Sequence, residues 1–120
     1  MMYIKDAIVA HRLWLDSKGE SGERADLHGA ILQEADLHGA DLQQADMNGA
    51  RMSVADLMGA NLAGADMREA DLWMADMRDA NLDGTDLRGT DLTEVTGLPA
   101  AQVGRAVTDE KTKLPTSLVK

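Results

Sequence analysis

Ala25-Asp26-Leu27-His28-Gly29, Ala30-Ile31-Leu32-Gln33-Glu34 and Ala35-Asp36-Leu37-His38-Gly39 open a run in which one five-residue unit recurs fourteen times without insertion, closing with Thr90-Asp91-Leu92-Thr93-Glu94. The first position is Ala except at Thr85 and Thr90, and the third is Leu except at Met47, Met52, Met67 and Met77. Small and large apolar residues never exchange places, so both positions answer to packing. The second position is Asp ten times, Asn at Asn61 and Asn81, and otherwise Ile31 or Arg51. The fourth and fifth vary freely apart from seven glycines at the fifth, so three positions per unit face outward.

A period of five fits neither regular element. A helix advances about 100° per residue, which would carry the apolar positions around every face and leave no stripe to bury. A strand alternates every second residue, and an odd period would point successive Leu side chains to opposite sides. What remains is a solenoid that turns one corner per unit. Four units then close a square coil of about twenty residues, and residues one coil apart stack in columns. Ala fits the narrow corner, Leu or Met fills the middle, and each unit buries its apolar face only against its neighbours.

The rest of the chain bounds this core. With 120 residues, no cysteine and two prolines, and no apolar run near the roughly 18 residues that cross a bilayer, one soluble domain is expected. The lack of cysteine fits a reducing compartment. No basic start followed by an apolar stretch marks a signal peptide, so a cytoplasmic protein, bacterial or phage-borne, is expected. A solenoid leaves unpaired backbone at both ends, which calls for covers. Residues 1–24 supply one: Ile4, Ala7, Ile8, His11 and Leu15 stand at helical spacing and predict an amphipathic helix over 4–16 that ends near Ser17-Lys18-Gly19. Residues 25–94 form the solenoid. Residues 95–120 supply the second cover and a tail. There Val95-Thr96-Gly97-Leu98 closes the last coil, Pro99 starts a short helix to about Arg105, and Lys111 to Lys120 are extended or mobile.

Charge is concentrated in the repeats. Twelve Asp and three Glu face Arg51, Arg68, Arg78 and Arg88 there, a net of −11, while the flanks contribute +2 to the total of −9. With coils rising about 4.8 Å each, the rod carries on the order of one charge per 1.5 Å, against one per about 1.7 Å of duplex DNA. Taking every fourth unit places Asp26, Asp46, Asp66 and Asp86 on one side and Asp36, Asp56 and Asp76 on the opposite side, with Glu69 and Asp79 at fifth positions beside them. The rod is acidic all round, and the repeats make little use of basic neighbours to relieve the self-repulsion. A plainer reading stands beside this one: short Asp and Asn side chains at turns bond local backbone, so the acid is also what a well-made rod requires.

One side departs from the pattern. It places Ile31, Val54, Trp73 and Met74 outward and Arg51 where Asp is expected. Val54, Trp73 and Met74 fall close together on adjacent coils, either as a contact for a partner or a second copy, or as a surface over which the flanks fold. Catalysis finds no support. His28 and His38 are exposed fourth-position residues, read as lying on neighbouring faces, without Cys or an orienting motif to make a metal site. No phosphate loop, calcium loop or partnered Ser nucleophile occurs, and direct nucleic-acid binding does not suit this charge. No catalytic residue, metal or cofactor is expected.

The pattern A-[DN]-L-x-x over 70 of 120 residues resembles the pentapeptide-repeat family. His11-x-x-Trp14-Leu15 before it and Asp109-Glu110-x-Thr112-x-Leu114-Pro115 after it also resemble the flanks of bacterial members. The resemblance implies an all-β solenoid, a right-handed quadrilateral β-helix of about three and a half coils. The family includes quinolone-resistance proteins that imitate duplex DNA and occupy gyrase. It also includes a small phage-type anti-CRISPR protein read as denying DNA to a Cascade-type complex by the same mimicry. This chain has a shorter solenoid than the gyrase binders, no loop interrupting it and no obvious long C-terminal dimerisation helix. The anti-CRISPR reading therefore comes first, a gyrase-protecting protein second and a structural or interaction solenoid third. In the first reading Asp26, Asp36, Asp46, Asp56, Asp66, Glu69, Asp76, Asp79 and Asp86 contact a DNA-binding partner, and the chain is a monomer or a dimer.

Overall fold

The computed structural model describes residues 3–118, and Val119 and Lys120, the end of the stretch expected to be extended or mobile, lie outside them. The repeat builds itself from one hydrogen-bonding scheme. From Asp26 to Asp76 each second-position residue forms a single-residue parallel bridge with the residue twenty further on, as in Asp26 with Asp46, Asp46 with Asp66 and Asp36 with Asp56. Asp46 N–H donates to the Ala25 carbonyl at 3.0 Å, and Leu27 N–H donates to the Asp46 carbonyl at 2.7 Å. The pairing never extends to a longer strand, because every side is followed at once by a corner. There Ala30 N–H donates to the Leu27 carbonyl at 3.0 Å across Gly29, whose φ is 62°, the geometry of a turn that demands a left-handed third residue.

Glycine is not the only residue accepted at that corner. Glu34, Gln44, Val54, Glu69, Met74 and Asp79 adopt the same left-handed φ, between 57° and 62°, at about 1 kcal/mol or more each relative to glycine. For β-branched Val54 the conformation is a genuine outlier.

The third-position Leu and Met residues from Leu27 to Leu92 are all buried, and those from Leu42 onward have no exposed surface. The corner alanines are buried at Ala25 and from Ala45 onward, and half-exposed at Ala30, Ala35 and Ala40. Thr85 and Thr90 are also fully buried. Their hydroxyls donate inward to the Leu62 carbonyl at 2.7 Å and the Met67 carbonyl at 2.8 Å, so the corner tolerates a polar atom that finds an acceptor.

Helix α1, Ile4–Asp16, covers part of the open first coil. Ile4 and Ile8 pack on the core and Ala7 is buried. His11, fully buried, accepts from Ala25 N–H through Nδ1 at 2.9 Å and donates from Nε2 to the Gln43 carbonyl at 2.7 Å. At the other end, helix α2, Ala100–Val103, replaces one side of the coil beneath Asn81. The chain beyond it runs along the last coil. Val107 bridges to Asp86, Lys113 bridges to Asp91, and Thr116 N–H donates to the Thr93 carbonyl at 2.9 Å. The tail thus satisfies the exposed edge of the last coil. The particle measures 46 × 25 × 22 Å. No helix among the described residues is long and apolar enough to cross a membrane.

Candidate functional site

Every Asp and Asn at the second position has one oxygen committed to the backbone. Oδ1 of Asp26, Asp36, Asp46, Asp56, Asp66, Asp76 and Asp86 accepts the N–H two residues later at 3.0–3.2 Å. Asn61 and Asn81 make the same bond to Ala63 and Asp83 at 3.2 and 3.0 Å. The bond needs an oxygen, not a charge. It accounts for the Asp/Asn preference on local grounds and leaves each Asp with a second oxygen that Asn lacks.

The bridges bring the candidate acids into two columns, Asp26–Asp46–Asp66–Asp86 and Asp36–Asp56–Asp76. Within them the expectation of few basic neighbours is corrected. Arg68, Arg78 and Arg88 each turn back on the Asp two residues before, with contacts of 2.8, 2.7 and 2.7 Å to Asp66, Asp76 and Asp86. Residues two apart on an extended chain share a face, so Asp-x-Arg pairs itself. Arg68 also lies 3.8 Å from Asp86 and so straddles two coils. The guanidinium bond is the main cause holding the carboxyls of Asp66, Asp76 and Asp86 below the usual range, against the opposing effect of partial burial.

The flanks cancel charge as well. Arg12 lies 3.9 Å from Asp41, Arg105 lies 3.6 Å from Asp83 and Lys113 lies 3.9 Å from Asp91. Within the two columns this leaves Asp26, Asp36, Asp46 and Asp56, all in the first two coils, without an ion pair among the described residues. Glu69 and Asp79, exposed at fifth positions, have none either. The seven column acids therefore divide into a bare N-terminal group, Asp26, Asp36, Asp46 and Asp56, and an Arg-paired C-terminal group, Asp66, Asp76 and Asp86, while Glu69 and Asp79 stand unpaired beside the latter. The signal for that division was present in Asp66-Met67-Arg68, Asp76-Met77-Arg78 and Asp86-Leu87-Arg88.

His28 and His38 are exposed, but they sit on the Asp26 and Asp36 sides, which are opposite and not neighbouring. Their units are separated by one intervening unit, Ala30–Glu34, so on a four-sided coil they face opposite ways. No group of His, Cys, Asp or Glu among the described residues could hold a metal ion. The divergent side is not covered by the flanks: Ile31 is 72% exposed, Trp73 54%, Met74 51% and Val54 45%. Val54 N–H donates to the Trp73 carbonyl at 2.8 Å, which places Val54, Trp73 and Met74 together.

Comparison with known proteins agrees with this geometry. The family model described as "Pentapeptide repeats" matches residues 23–53 and 55–94, its one gap falling on Val54. The crystal structure of a pentapeptide repeat protein from Nostoc PCC 7120 is 30% identical, with 89% of this chain and 83% of that chain covered and a TM-score of 0.69. A pentapeptide repeat protein from the Arabidopsis thaliana thylakoid lumen is also 30% identical, with a TM-score of 0.60; the match covers 73% of this chain and 57% of that longer one. No curated protein matches.

Proposed function

This chain belongs to the pentapeptide-repeat family of right-handed β-helix solenoids, and from that premise we propose that it is an acidic, non-enzymatic inhibitor that occupies the DNA channel of a bacterial DNA-processing complex in place of duplex DNA. The observation that supports the reading is the bare pair of columns, Asp26–Asp46 and Asp36–Asp56, on opposite sides of the rod. Their Oδ1 atoms are held by backbone N–H groups, so the carboxylates are positioned before any partner arrives. Lys and Arg side chains that grip phosphates would meet fixed anions at a charge density close to that of a duplex. Complementary charge also speeds encounter.

The first-choice target is a type I CRISPR effector of the Cascade kind, acting in the bacterial cytoplasm, and DNA gyrase is the alternative. A gel-shift competition with purified Cascade and its matched duplex, run beside a gyrase supercoiling assay with quinolone, separates them. Release of the duplex from Cascade at low salt, with no relief of quinolone inhibition, supports the first target. Relief without release moves the target to gyrase. Neither effect reduces the chain to a structural solenoid.

A further inference from the structure

DNA mimicry needs carboxylates and nothing apolar, yet the side that carries Ile31 and Arg51 in the Asp column also exposes Val54, Trp73 and Met74. Val54 and Met74 hold their places at left-handed φ of 61° and 57°, where glycine would be unstrained. Trp73 is tied to the repeat by its backbone, which donates N–H to Asp71 Oδ1 at 3.1 Å. Beside it opens a cleft of about 300 Å³ lined by Asp71, Trp73, Asp91, Thr93 and Glu94. Asp91 is engaged there: its Oδ1 accepts from Thr93 N–H at 2.9 Å and from the Thr93 hydroxyl at 2.7 Å, and Lys113 stands 3.9 Å from its Oδ2. Asp71 and Glu94 have no ion pair among the described residues.

A large aromatic ring next to unpaired carboxylates is the chemistry that takes a guanidinium. Arginine is planar and weakly hydrated, and it stacks on aromatic faces while pairing with acids. We propose that this cleft anchors an arginine of a partner protein, with apolar neighbours of that arginine resting on Val54 and Met74. Charge complementarity selects the occupant: a second copy of a chain of net charge −9 brings like charge, whereas a cationic segment of a DNA-gripping protein brings the opposite sign. The proposal rests on the partner class proposed above and adds a contact that no phosphate backbone makes.

The test uses the full chain and the indole N–H resonance of Trp73, identified by its absence in Trp73→Phe. Acetyl-leucyl-arginyl-leucine amide is titrated against it, with the citrulline peptide of the same shape as control. A saturable shift with arginine alone, lost in Asp71→Asn/Glu94→Gln and retained in Asp36→Asn/Asp56→Asn, supports the anchor. Equal shifts from both peptides, no shift, or a resonance that moves only with the concentration of the chain itself through self-association overturns it. Against whichever DNA-processing complex the chain binds, Trp73→Ala should weaken affinity about tenfold while leaving its salt dependence unchanged. An unaltered affinity overturns the anchor and leaves the acidic columns standing.

Discussion

Arg78 clasps Asp76, two residues before it on the same side, through both carboxylate oxygens, with Nη2 2.7 Å from Oδ2 and Nε 3.0 Å from Oδ1. One coil earlier in the same column Asp56 makes no ion pair among the described residues, its own fourth position being Met58. These two columns are therefore uneven along the axis: Asp26, Asp36, Asp46 and Asp56 are bare, and Asp66, Asp76 and Asp86 are held in ion pairs.

Replacing Asp26, Asp36, Asp46 and Asp56 with Asn should remove four charges without disturbing the coils. Asn61 and Asn81 already make the same bond to the backbone at two other corners. Unfolding free energy measured in urea should change by no more than about 0.5 kcal/mol per site, and a larger loss would mean that the charge itself is structural.

His11→Leu should be among the most damaging single changes outside the repeats. It strands Ala25 N–H and the Gln43 carbonyl, both served by the imidazole, and an unsatisfied buried group costs about 1 to 3 kcal/mol. Denaturant midpoints should fall by an amount matching about 2 to 4 kcal/mol. A near-neutral result would show that helix α1 adds little to the solenoid.

Thr85→Val and Thr90→Val keep the shape of the corner but delete the inward hydroxyl bonds to Leu62 and Met67. Each should cost about 1 kcal/mol, read from the shift of the urea transition. Val54→Gly should act in the opposite direction. It relieves the left-handed β-branched residue and should stabilise by about 1 kcal/mol, while trimming the apolar patch beside Trp73.

Acid should loosen the C-terminal half first. Asp66, Asp76 and Asp86 are held below the ordinary carboxyl value of 3.8 by their arginines, and Asp91 by its bonds to Thr93. A depressed carboxyl stabilises the fold above its unfolded value, and that contribution fades as pH falls through the folded one. Stability should hold level from neutral pH to about pH 5 and decline below about pH 4. In Arg68→Gln/Arg78→Gln/Arg88→Gln the decline should be shallower, as followed by circular dichroism, and an identical acid limb would remove these pairs from the explanation.

Much of this molecule was legible before any coordinates. The exclusive use of Ala or Thr at one position and Leu or Met at another fixed which side chains go inward, and the buried set from Leu27 to Leu92 follows it. The spacing could also have revealed the self-pairing of Asp76 with Arg78. Other pairings were hidden because they join distant segments of unlike sequence: Arg12 reaches Asp41, and Arg105 reaches Asp83. The tail's pairing was not legible because its bridge partners stand 21 and 22 residues apart, Val107 with Asp86 and Lys113 with Asp91. Without the pentapeptide spelling, nothing in the local sequence announces that register.

Whether bare carboxylates stand in for a phosphate backbone is settled by measuring how duplex DNA and salt displace the chain from purified Cascade, for the wild type and for the variant carrying Asn at 26, 36, 46 and 56. The wild type should exclude the duplex competitively and lose affinity steeply as salt rises, and the variant, with its fold intact, should bind weakly and with a flatter salt response. Equal binding by the two proteins, or binding undisturbed by saturating duplex, would contradict the proposal.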